Sequence, residues 1–431
     1  MTALGPFETN PQIAVAVSGG SDSIALVILA DKWARLNGGD VTALTVNHNL
    51  REGSAKEVAQ VGNWLAKRRI KHVVLSWEGK KPITGIQQAA RDERYRLMDQ
   101  WCQRNYVLHL LLGHTQDDQA ETLLMRLERG SGPDGLAAMS VQRELNNCRL
   151  LRPVLDCSRN TLRNFLEYQR QDWLDDPSNC DGRFLRTHLR HWIVDAGLSP
   201  EELTKRTKRY GLARKAAEYE ANRTMALGGS FFSAGYARIK ISCLTCVSED
   251  VALLVIARLI AIVGGLFYKP SRTSVKRLYK RVIIGSNAKM TLGRCLLRIF
   301  GAYLEVYRER RNLPDPVIFE AGRSIIWDGR FELVFGRVPL ETRGNLYLQS
   351  LSRRDWYGSR VEKQNFRFED YIPTFALAGL PALYDDRGIV TVPHLEYCRN
   401  GQWLDNSIET GINKVCFRPY SSVSFGSFCV D

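Results

Sequence analysis

The sequence predicts an α/β fold in which a doubly wound parallel sheet is followed by a helical middle region and a β-rich carboxyl-terminal domain. In the first part of the chain, short β-branched apolar runs alternate with helical patterns, as in a parallel sheet covered on both faces. From about residue 290 onward, the pattern changes to closely spaced hairpins. We therefore divide the 431 residues into an α/β domain over 1–210, a helical and basic region over 211–315 and a β-rich domain over 316–431.

Four apolar runs near the amino terminus have the length and β-branching of strands. They are IAVAV (13–17), VTALTV (41–46), HVVLSW (72–77) and VLHLLL (107–112). Helical patterns follow them at 22–37, 54–69, 85–105 and 118–129, and a further helix is predicted at 159–170 with Ser158 as its cap. Because ligands of parallel sheets bind beyond the carboxyl ends of the strands, the loops 18–23, 47–53 and 113–118 form the candidate site.

The rest of the chain combines helices with hairpins. Helices are predicted around 201–223 and 249–263, and hairpins at LLRIFGAYLEVY, SIIWDGRFELVF and ALYDDRGIVTV, the second with an Asp328-Gly329 turn. The apolar run 251–267 is marginal in length for a membrane span and carries Arg258 near its middle. We predict a buried helix that begins after Ser248 and no membrane segment.

The positive charge of the chain, formally +14, is concentrated in one segment. Between 269 and 311, twelve lysines and arginines accompany two glutamates. Lys276 and Lys280, like Arg277 and Arg281, are four residues apart and share a helix face. This pattern is typical of a contact with a nucleic-acid backbone, and equally of a solvated surface helix.

The cysteines and the amino terminus favour a reducing cytoplasm. The ten cysteines lack the density of a disulfide scaffold, and MTALGPFETN has neither the basic nor the apolar part of a signal peptide. The one C-x-x-C pair, Cys243 and Cys246, has no second pair at zinc spacing, so we expect it to be structural.

The loop between the first strand and its helix has the composition of an anion site. It consists of Ser18, Gly19, Gly20, Ser21, Asp22 and Ser23. Glycines let a phosphate approach the backbone, hydroxyls donate hydrogen bonds, and the amides at the start of the helix point toward the same place. The carboxylate of Asp22 suits a phosphate site if it binds the Mg²⁺ that neutralises the phosphates. The alternative is a serine-rich turn with a capping aspartate.

Polar residues also follow two other strands of the predicted sheet. His48, Asn49 and Arg51 follow the second strand. Asp118 and Glu121, three residues apart on one helix face, follow the fourth, in a stretch that also contains His114 and Asp117. Acidic residues are common at the start of helices, but three polar clusters at one edge of a sheet favour a functional site.

The loop and five further stretches resemble a known family. SGGSDS resembles the loop of the N-type ATP pyrophosphatases, the PP-loop superfamily with its Rossmann-like sheet. The stretches that narrow the resemblance to the tRNA(Ile)-lysidine synthetase family are HNLR (48–51), AARDERYRLM (89–98), GHTQDDQAETLLMRLERGSGPDGLAAM (113–139), LLRPVLDCSRNTL (150–162) and WLDDPSNCDGRFLR (173–186). The likeness is specific over about residues 12–192 and fainter beyond.

This resemblance implies a reaction with ATP, Mg²⁺, free lysine and a tRNA(Ile) with a CAU anticodon. The family adenylates the C2 oxygen of the wobble cytidine, releases pyrophosphate, and then lets the lysine ε-amine displace AMP. It implies that the loop 18–23 binds ATP, that Asp22 and Asp118 hold the metal, and that Glu121 holds or deprotonates the lysine. Arg91 would stabilise the transition state or orient the nucleotide, the alternative being a surface salt bridge.

The resemblance leaves other roles open. His48 and Arg51 would approach the nucleotide or the flipped base, or only shape their loop. Binding of the tRNA is expected from Lys276, Arg277, Lys280 and Arg281. The oligomeric state is open, as is the effect of Thr187, which stands where many members carry asparagine.

Three competing functions remain. A tRNA thiolase of the same superfamily would need a persulfide cysteine or a cluster at the candidate site, and the loops 18–23, 47–53 and 113–118 contain no cysteine. A small-molecule ligase would leave the basic segment unexplained. A catalytically silent tRNA-binding protein would have no need for Asp22, Asp118 and Glu121, all of which are present.

Overall fold

The structure is a computed structural model that describes most of the chain. The residues it describes are 1, 4–48, 53–78, 82, 85–175, 189, 192–193, 195–285, 289–339, 342–352, 354, 356, 372–399 and 411–420. These fall into two compact units, Met1–Ala216 and Ala217–Phe425. The finer division of the second half into a helical and a β-rich domain stays a prediction.

A six-stranded sheet forms the centre of the first unit. Its order is β3-β2-β1-β4-β6-β5, and all neighbours are parallel except β5 and β6. The strands are β1 Gln12–Ala16, β2 Asp40–Asn47, β3 Lys71–Ser76, β4 His109–Leu111, β5 Gln142–Glu144 and β6 Arg149–Leu151. The predicted parallel sheet is thus confirmed, with an antiparallel edge strand that the sequence did not indicate.

Helices cover both faces of this sheet. They are α1 Ser21–Leu36, α2 Ser54–Lys67, α3 Ile86–Arg104, α4 Gln116–Glu128, α5 Pro133–Leu136 and α6 Arg159–Tyr168. Val15 of β1 packs with α1, α2 and α6, whereas its neighbour Ala14 packs with α3 on the other face. Consecutive strand residues are therefore buried, as expected for a sheet wound on both sides.

The strand order creates a crevice at one edge of the sheet. From β1 the chain winds outward through β2 to β3, and then returns to place β4 on the other side of β1. The direction of winding therefore reverses between β1 and β4. The loops that follow these two neighbouring strands turn away from each other, which leaves a crevice between them. The loops that follow β1 and β4 therefore flank the position where ligands of this architecture bind.

Three antiparallel sheets and several helices form the second unit. Their orders are β7-β8-β11-β10-β9, β12-β15-β16-β17-β18 and β13-β14-β19. The strands are β7 Gly229–Phe231, β8 Ala237–Lys240, β9 Met290–Leu292, β10 Cys295–Phe300, β11 Tyr303–Arg308, β12 Val317–Ile318, β13 Ser324–Trp327, β14 Phe331–Phe335, β15 Tyr347–Ser350, β16 Pro381–Asp385, β17 Gly388–Val392, β18 Tyr397–Cys398 and β19 Ile412–Phe417. The three predicted hairpins are confirmed as β10–β11, β13–β14 and β16–β17.

The helices of the second half include the apolar segment. They are α7 Pro200–Gly228, which crosses the boundary between the units, α8 Ile241–Thr245, α9 Glu249–Val263, α10 Arg272–Ile283 and α11 Thr374–Leu377. In α9 every residue from Val251 to Val263 is buried, and Arg258 donates a hydrogen bond to Asn222 Oδ1 at 2.7 Å. The predicted buried helix with its Ser248 cap is confirmed. Within the described residues, no helix has both the length and the apolar character that crossing a bilayer requires.

One buried ion cluster lies at the turn between β13 and β14. Asp328 and Gly329 both have positive φ, 53° and 66°, as the predicted hairpin turn requires. The Asp328 carboxylate accepts from Arg308 Nε at 2.9 Å and from Arg330 Nε at 2.7 Å. All three side chains are at most 1% exposed. Two guanidinium groups therefore share a single counter-ion in the interior.

Candidate active site

Hydrogen bonds of a serine hydroxyl fix the conformation of the loop after β1. Ser23 Oγ donates to Gly20 O at 2.9 Å and accepts from Ser18 N at 3.2 Å, so one side chain fixes both ends of the turn. Gly20 is the N-cap of α1 and offers no side-chain acceptor. Among the described residues, nothing accepts from the amides of Ser21 or Asp22. These amides and the helix dipole make the loop a suitable place for a phosphate group.

The two glycines of this loop have different structural roles. Gly19 has a φ of +92°, and a Cβ built on it would lie 2.6 Å from Leu174 Cδ1. Gly20 has a φ of −70°, and the nearest atom to its Cβ would be Ser18 Oγ at 3.8 Å. Only the first position therefore requires glycine for the fold.

We expect Gly19→Ala to lower the free energy of unfolding by about 2 kcal/mol, because alanine is strained at positive φ and its methyl group collides with Leu174. The matched variant Gly20→Ala is expected to unfold at nearly the wild-type urea concentration. Urea unfolding followed by circular dichroism measures both. Equal midpoints for the two variants would contradict this assignment.

The two predicted metal ligands meet at an arginine that sequence analysis did not single out. Arg159, the first residue of α6, donates from Nε to Asp22 Oδ2 at 3.0 Å and from Nη2 to Asp118 Oδ1 at 3.2 Å. Its backbone amide donates to Asp117 Oδ2 at 2.7 Å. The loops after β1, β4 and β6 are thereby joined at one point. We call Asp22, Asp118 and Arg159 the acid–arginine site.

The start of α4 orients Asp118. Thr115 is the N-cap of this helix, and its backbone amide donates to Asp118 Oδ2 at 2.8 Å in a capping box. The other oxygen, Oδ1, faces Arg159. Glu121 lies on the same face and is 1% exposed. The predicted juxtaposition of Asp118 and Glu121 follows directly from this helix start.

Burial and charge act in opposite directions on the acid–arginine site. Burial raises the pKa of the Asp22 carboxyl; the nearby Asp118 carboxylate adds to the rise, and Arg159 opposes it. Burial alone would lower the pKa of the Arg159 guanidinium, but Asp118, Asp22 and Glu121 outweigh it and raise that pKa. The arginine therefore stays charged and balances carboxylates that would otherwise repel each other.

The donor set suits a divalent cation only in part. Among the described residues, no group of three or more His, Cys, Asp or Glu side chains is placed to hold a metal ion. Two carboxylates alone are the usual protein contribution to a Mg²⁺ ion that also binds phosphate oxygens. Asp22 and Asp118 fit such an ion, provided that Arg159 shifts away from them.

We expect Arg159→Ala to lower the free energy of unfolding at neutral pH by about 2 kcal/mol, because it leaves two close carboxylates without their cation. Without the guanidinium the pKa of Asp22 rises further. When folding raises the pKa of a carboxyl, the folded state is destabilised at pH values above the raised pKa. The destabilisation is absent below the ordinary pKa of the unfolded chain, 3.8 for Asp22. The destabilisation should therefore shrink as the pH falls toward 4.

Urea unfolding across the acidic range measures this effect. Arg163→Ala is the matched control, because Arg163 lies on the same helix and pairs with exposed Asp175 at 3.6 Å. It should change stability little at any pH. A loss for Arg159→Ala that is the same at every pH would contradict the electrostatic explanation.

The other predicted residues of the first unit lie in different surroundings. His48 follows β2 and packs edge-on against Trp77, with ring centroids 5.9 Å apart. Arg91 lies on α3 and donates to the hydroxyl of Tyr95 at 3.3 Å. The structure thus places Arg91 in a group around Tyr95 rather than in the acid–arginine site. Asn49, Arg51 and Thr187 lie outside the described residues.

The four predicted tRNA-binding residues all lie on α10 of the second unit and are exposed. Val275, Leu278 and Val282 form the buried face of this helix. Lys276 Nζ pairs with Glu249 Oε1 at 2.6 Å, and Arg277 donates to Ser274 Oγ at 3.4 Å. Within the part of the chain that the structure describes, Lys280 and Arg281 form no ion pair. Their role stays a prediction.

Arg159 could have been suspected from the sequence. It directly follows the predicted cap Ser158, and a cation at the start of a helix opposes the helix dipole. Such a residue needs an anion nearby, and the carboxylates of the neighbouring loops were the available ones. Tyr95 and Arg152, which are described below, gave no comparable local signal.

Comparisons with known proteins show which family the chain resembles. The family model described as a PP-loop domain matches residues 2–196. A tRNA(Ile)-lysidine synthase of Orientia tsutsugamushi (strain Boryong) is 31% identical over 97% of this chain and 96% of its own length. Enzymes of the same name from Wolbachia pipientis wMel and Rhizobium meliloti (strain 1021) are 36% and 32% identical, over 75% and 91% of this chain and 76% and 84% of their own lengths.

Proposed function

Because the chain belongs to the tRNA(Ile)-lysidine synthase family, we propose that it converts the wobble cytidine of a CAU-anticodon tRNA(Ile) into lysidine at the expense of ATP. The cytidine C2 oxygen attacks the α-phosphorus of ATP, and pyrophosphate leaves. The ε-amine of free lysine then attacks C2, and AMP leaves with the oxygen. Adenylation is needed because a urea-like oxygen is otherwise a poor leaving group.

The observation that supports this proposal best is the acid–arginine site at the crevice between β1 and β4. It places Asp22 and Asp118 beside a loop whose amides suit phosphate groups. A reaction that expels pyrophosphate needs cationic and hydrogen-bonding partners for the charge that develops on the leaving group. The loop residues 18–23 supply hydrogen-bond donors for that charge.

We propose that Asp22 and Asp118 hold Mg²⁺ when ATP is bound. The ion would neutralise charge on the phosphates and so ease departure of pyrophosphate. Arg159 then has to leave the two carboxylates, and its free guanidinium can contact a phosphate oxygen of the same substrate. In this proposal Arg159 pairs with the two carboxylates before ATP binds and contacts the phosphates of ATP afterwards.

Glu121 is our candidate for the proton acceptor. Lysine attacks only as the neutral amine, so the ammonium form that predominates in solution must lose a proton. The Glu121 side chain is buried on the same helix face as Asp118, within the electrostatic reach of Arg159. A carboxylate in that position can first hold the lysine ammonium and then take its proton.

The remaining roles are proposals of lesser detail. His48 approaches the nucleotide or the flipped base, and Arg91 stabilises the transition state or orients the nucleotide. The exposed face of α10, with Lys276, Arg277, Lys280 and Arg281, contacts the tRNA backbone. Since the substrate is a tRNA, we place the protein in the cytoplasm.

The test is incorporation of radiolabelled lysine into a tRNA(Ile) transcript with a CAU anticodon, in the presence of ATP and Mg²⁺. We expect one lysine per AMP released, and none when ATP is omitted. A transcript that differs only by uridine at the wobble position is the matched control and should accept no lysine. Cleavage of ATP to AMP with no lysine in either RNA would instead favour a thiolase or a small-molecule ligase.

A further inference from the structure

Four arginines surround a single tyrosine in the first unit. Tyr95 lies on α3, and the guanidinium carbons of Arg91, Arg94 and Arg143 are 5.3, 5.5 and 6.0 Å from its ring centroid. Arg91 donates to the Tyr95 hydroxyl at 3.3 Å, and the charges of Arg94 and Arg152 also act on this tyrosine. We call these five residues the Tyr95 cluster.

Arg152 is the most deeply buried arginine of the Tyr95 cluster. It follows β6, is only 5% exposed, and donates from Nη1 to Ser140 O at 2.5 Å and from Nε to His114 Nδ1 at 3.1 Å. Burial lowers the pKa of Arg152 to about 10; Tyr95 opposes this, while Arg143 and Arg91 add repulsion. A guanidinium is therefore desolvated near like charges, and the described groups that it contacts, a carbonyl, an imidazole and a phenol, are not carboxylates.

No described carboxylate pairs with the arginines of the Tyr95 cluster. Burial alone would raise the pKa of Tyr95, but the charges of Arg94, Arg91 and Arg152 outweigh it and lower that pKa. The phenol oxygen thus lies in a strongly positive field, which is the environment of an anion-binding site.

A purely structural role explains these arginines poorly. Arg96, on the same helix, shows how an arginine without a ligand is satisfied in this chain: it makes two hydrogen bonds to the carboxylate of Glu93, at 2.7 and 2.5 Å. In the part of the chain that the structure describes, the arginines of the Tyr95 cluster have no such carboxylate partner, and Arg91 and Arg143 are exposed to solvent. Mutual repulsion of four cations is offset when phosphates lie between them.

The cluster adjoins the proposed catalytic residues. Arg152 holds His114, and the next residue is Thr115, whose amide fixes Asp118. Both groups therefore lie at the carboxyl edge of the sheet, where β4 and β6 end. A nucleotide whose base enters the crevice brings the phosphates on either side of it to this edge.

We propose that the Tyr95 cluster binds the RNA phosphates that flank the target cytidine. The inference rests on the proposed function. Several planar guanidinium groups match successive phosphates, which each accept two parallel hydrogen bonds. The reaction has two other anions: the ATP phosphates, for which the amides of the loop 18–23 are suited, and the carboxylate of free lysine, which would need one arginine rather than four.

The test measures binding of an anticodon stem–loop RNA, without ATP or lysine, to Arg143→Ala and Arg94→Ala. We expect each variant to bind about tenfold more weakly, with the slope of log K against log salt reduced by about 0.7 for each phosphate that the variant no longer neutralises. KM for ATP and for lysine should be unchanged. The matched control Arg96→Ala, on the same helix but paired with Glu93, should bind the RNA like wild type.

Two outcomes would overturn the inference. If Arg143→Ala and Arg94→Ala had the same RNA affinity as Arg96→Ala, the Tyr95 cluster would make no contact with the RNA phosphates. A raised KM for lysine with unchanged RNA affinity would assign the cluster to the amino-acid carboxylate. RNA binding is measured without ATP or lysine, so it does not depend on the reaction. If the wild type failed to transfer lysine, the proposed function would be disproved, and the RNA-binding measurement would still test this inference.

Discussion

Replacing Asp22 with alanine is expected to lower the rate of lysine transfer to tRNA roughly a thousandfold, while the protein stays folded. The carboxylate is one of the two in the acid–arginine site, which we propose to hold Mg²⁺, so its loss would remove half of that proposed ligand set. Pyrophosphate would then leave without adequate charge neutralisation. Both products of the first step, pyrophosphate and adenylated RNA, should disappear together.

The fold should tolerate this change for an electrostatic reason. Burial raises the pKa of Asp22, which means that its ionised form is unfavourable in the folded state. After the substitution, Arg159 keeps Asp118 as its partner at 3.2 Å. We therefore expect a urea midpoint close to that of wild type.

Single-turnover assays of pyrophosphate release and lysine incorporation measure the effect. Asp31→Ala is the matched control, since Asp31 lies on the same helix and its ion pair among the described residues is an i,i+4 bridge to the exposed Arg35. If Asp22→Ala transferred lysine at the same rate as Asp31→Ala, the acid–arginine site would have no part in the mechanism.

Asp328→Asn is expected to lower the stability of the second unit by about 3–5 kcal/mol, because it leaves Arg308 and Arg330 buried without a counter-ion. Asparagine nearly matches aspartate in shape and also tolerates the left-handed backbone at this position, where φ is 53°. The substitution therefore isolates the lost charge from changes in packing or turn geometry.

Hydrogen exchange of the β13 and β14 amides in increasing urea reports this loss locally. The control is Glu332→Gln on β14, which removes an ion pair with the exposed Arg418 at 3.1 Å. Surface pairs contribute little, so that variant should lose less than about 1 kcal/mol. If both variants lost the same amount, the buried cluster would be no more important than a surface bridge.

The sequence predicts the elements of this fold well where their signals are local. The strand before Ser18, the cap at Ser158 and the turn at Asp328-Gly329 each depend on a few neighbouring residues, and the structure has all three. The pairing of β14 with β19 was not predicted, because nothing near either strand specifies a partner so distant along the chain.

The same limit applies to the site. Parallel strands bring their following loops to one edge, so the approach of Asp22 to Asp118 could be anticipated from strand order alone. The bond between Arg159 and Asp22 spans 137 residues and depends on the entry angle of α6, which no local pattern encodes. The Tyr95 cluster likewise combines residues from α3, β5 and the end of β6.

The capping box at Thr115 has a consequence for how this protein can change over evolutionary time. One oxygen of Asp118 starts helix α4, and the other faces the acid–arginine site. Orientation of this carboxylate is thus completed when the helix forms, and no later rearrangement is required before substrate arrives. If Asp118 takes part in turnover as we propose, selection for a folded helix and selection for activity act on the same side chain, and relaxing either one leaves the other in force.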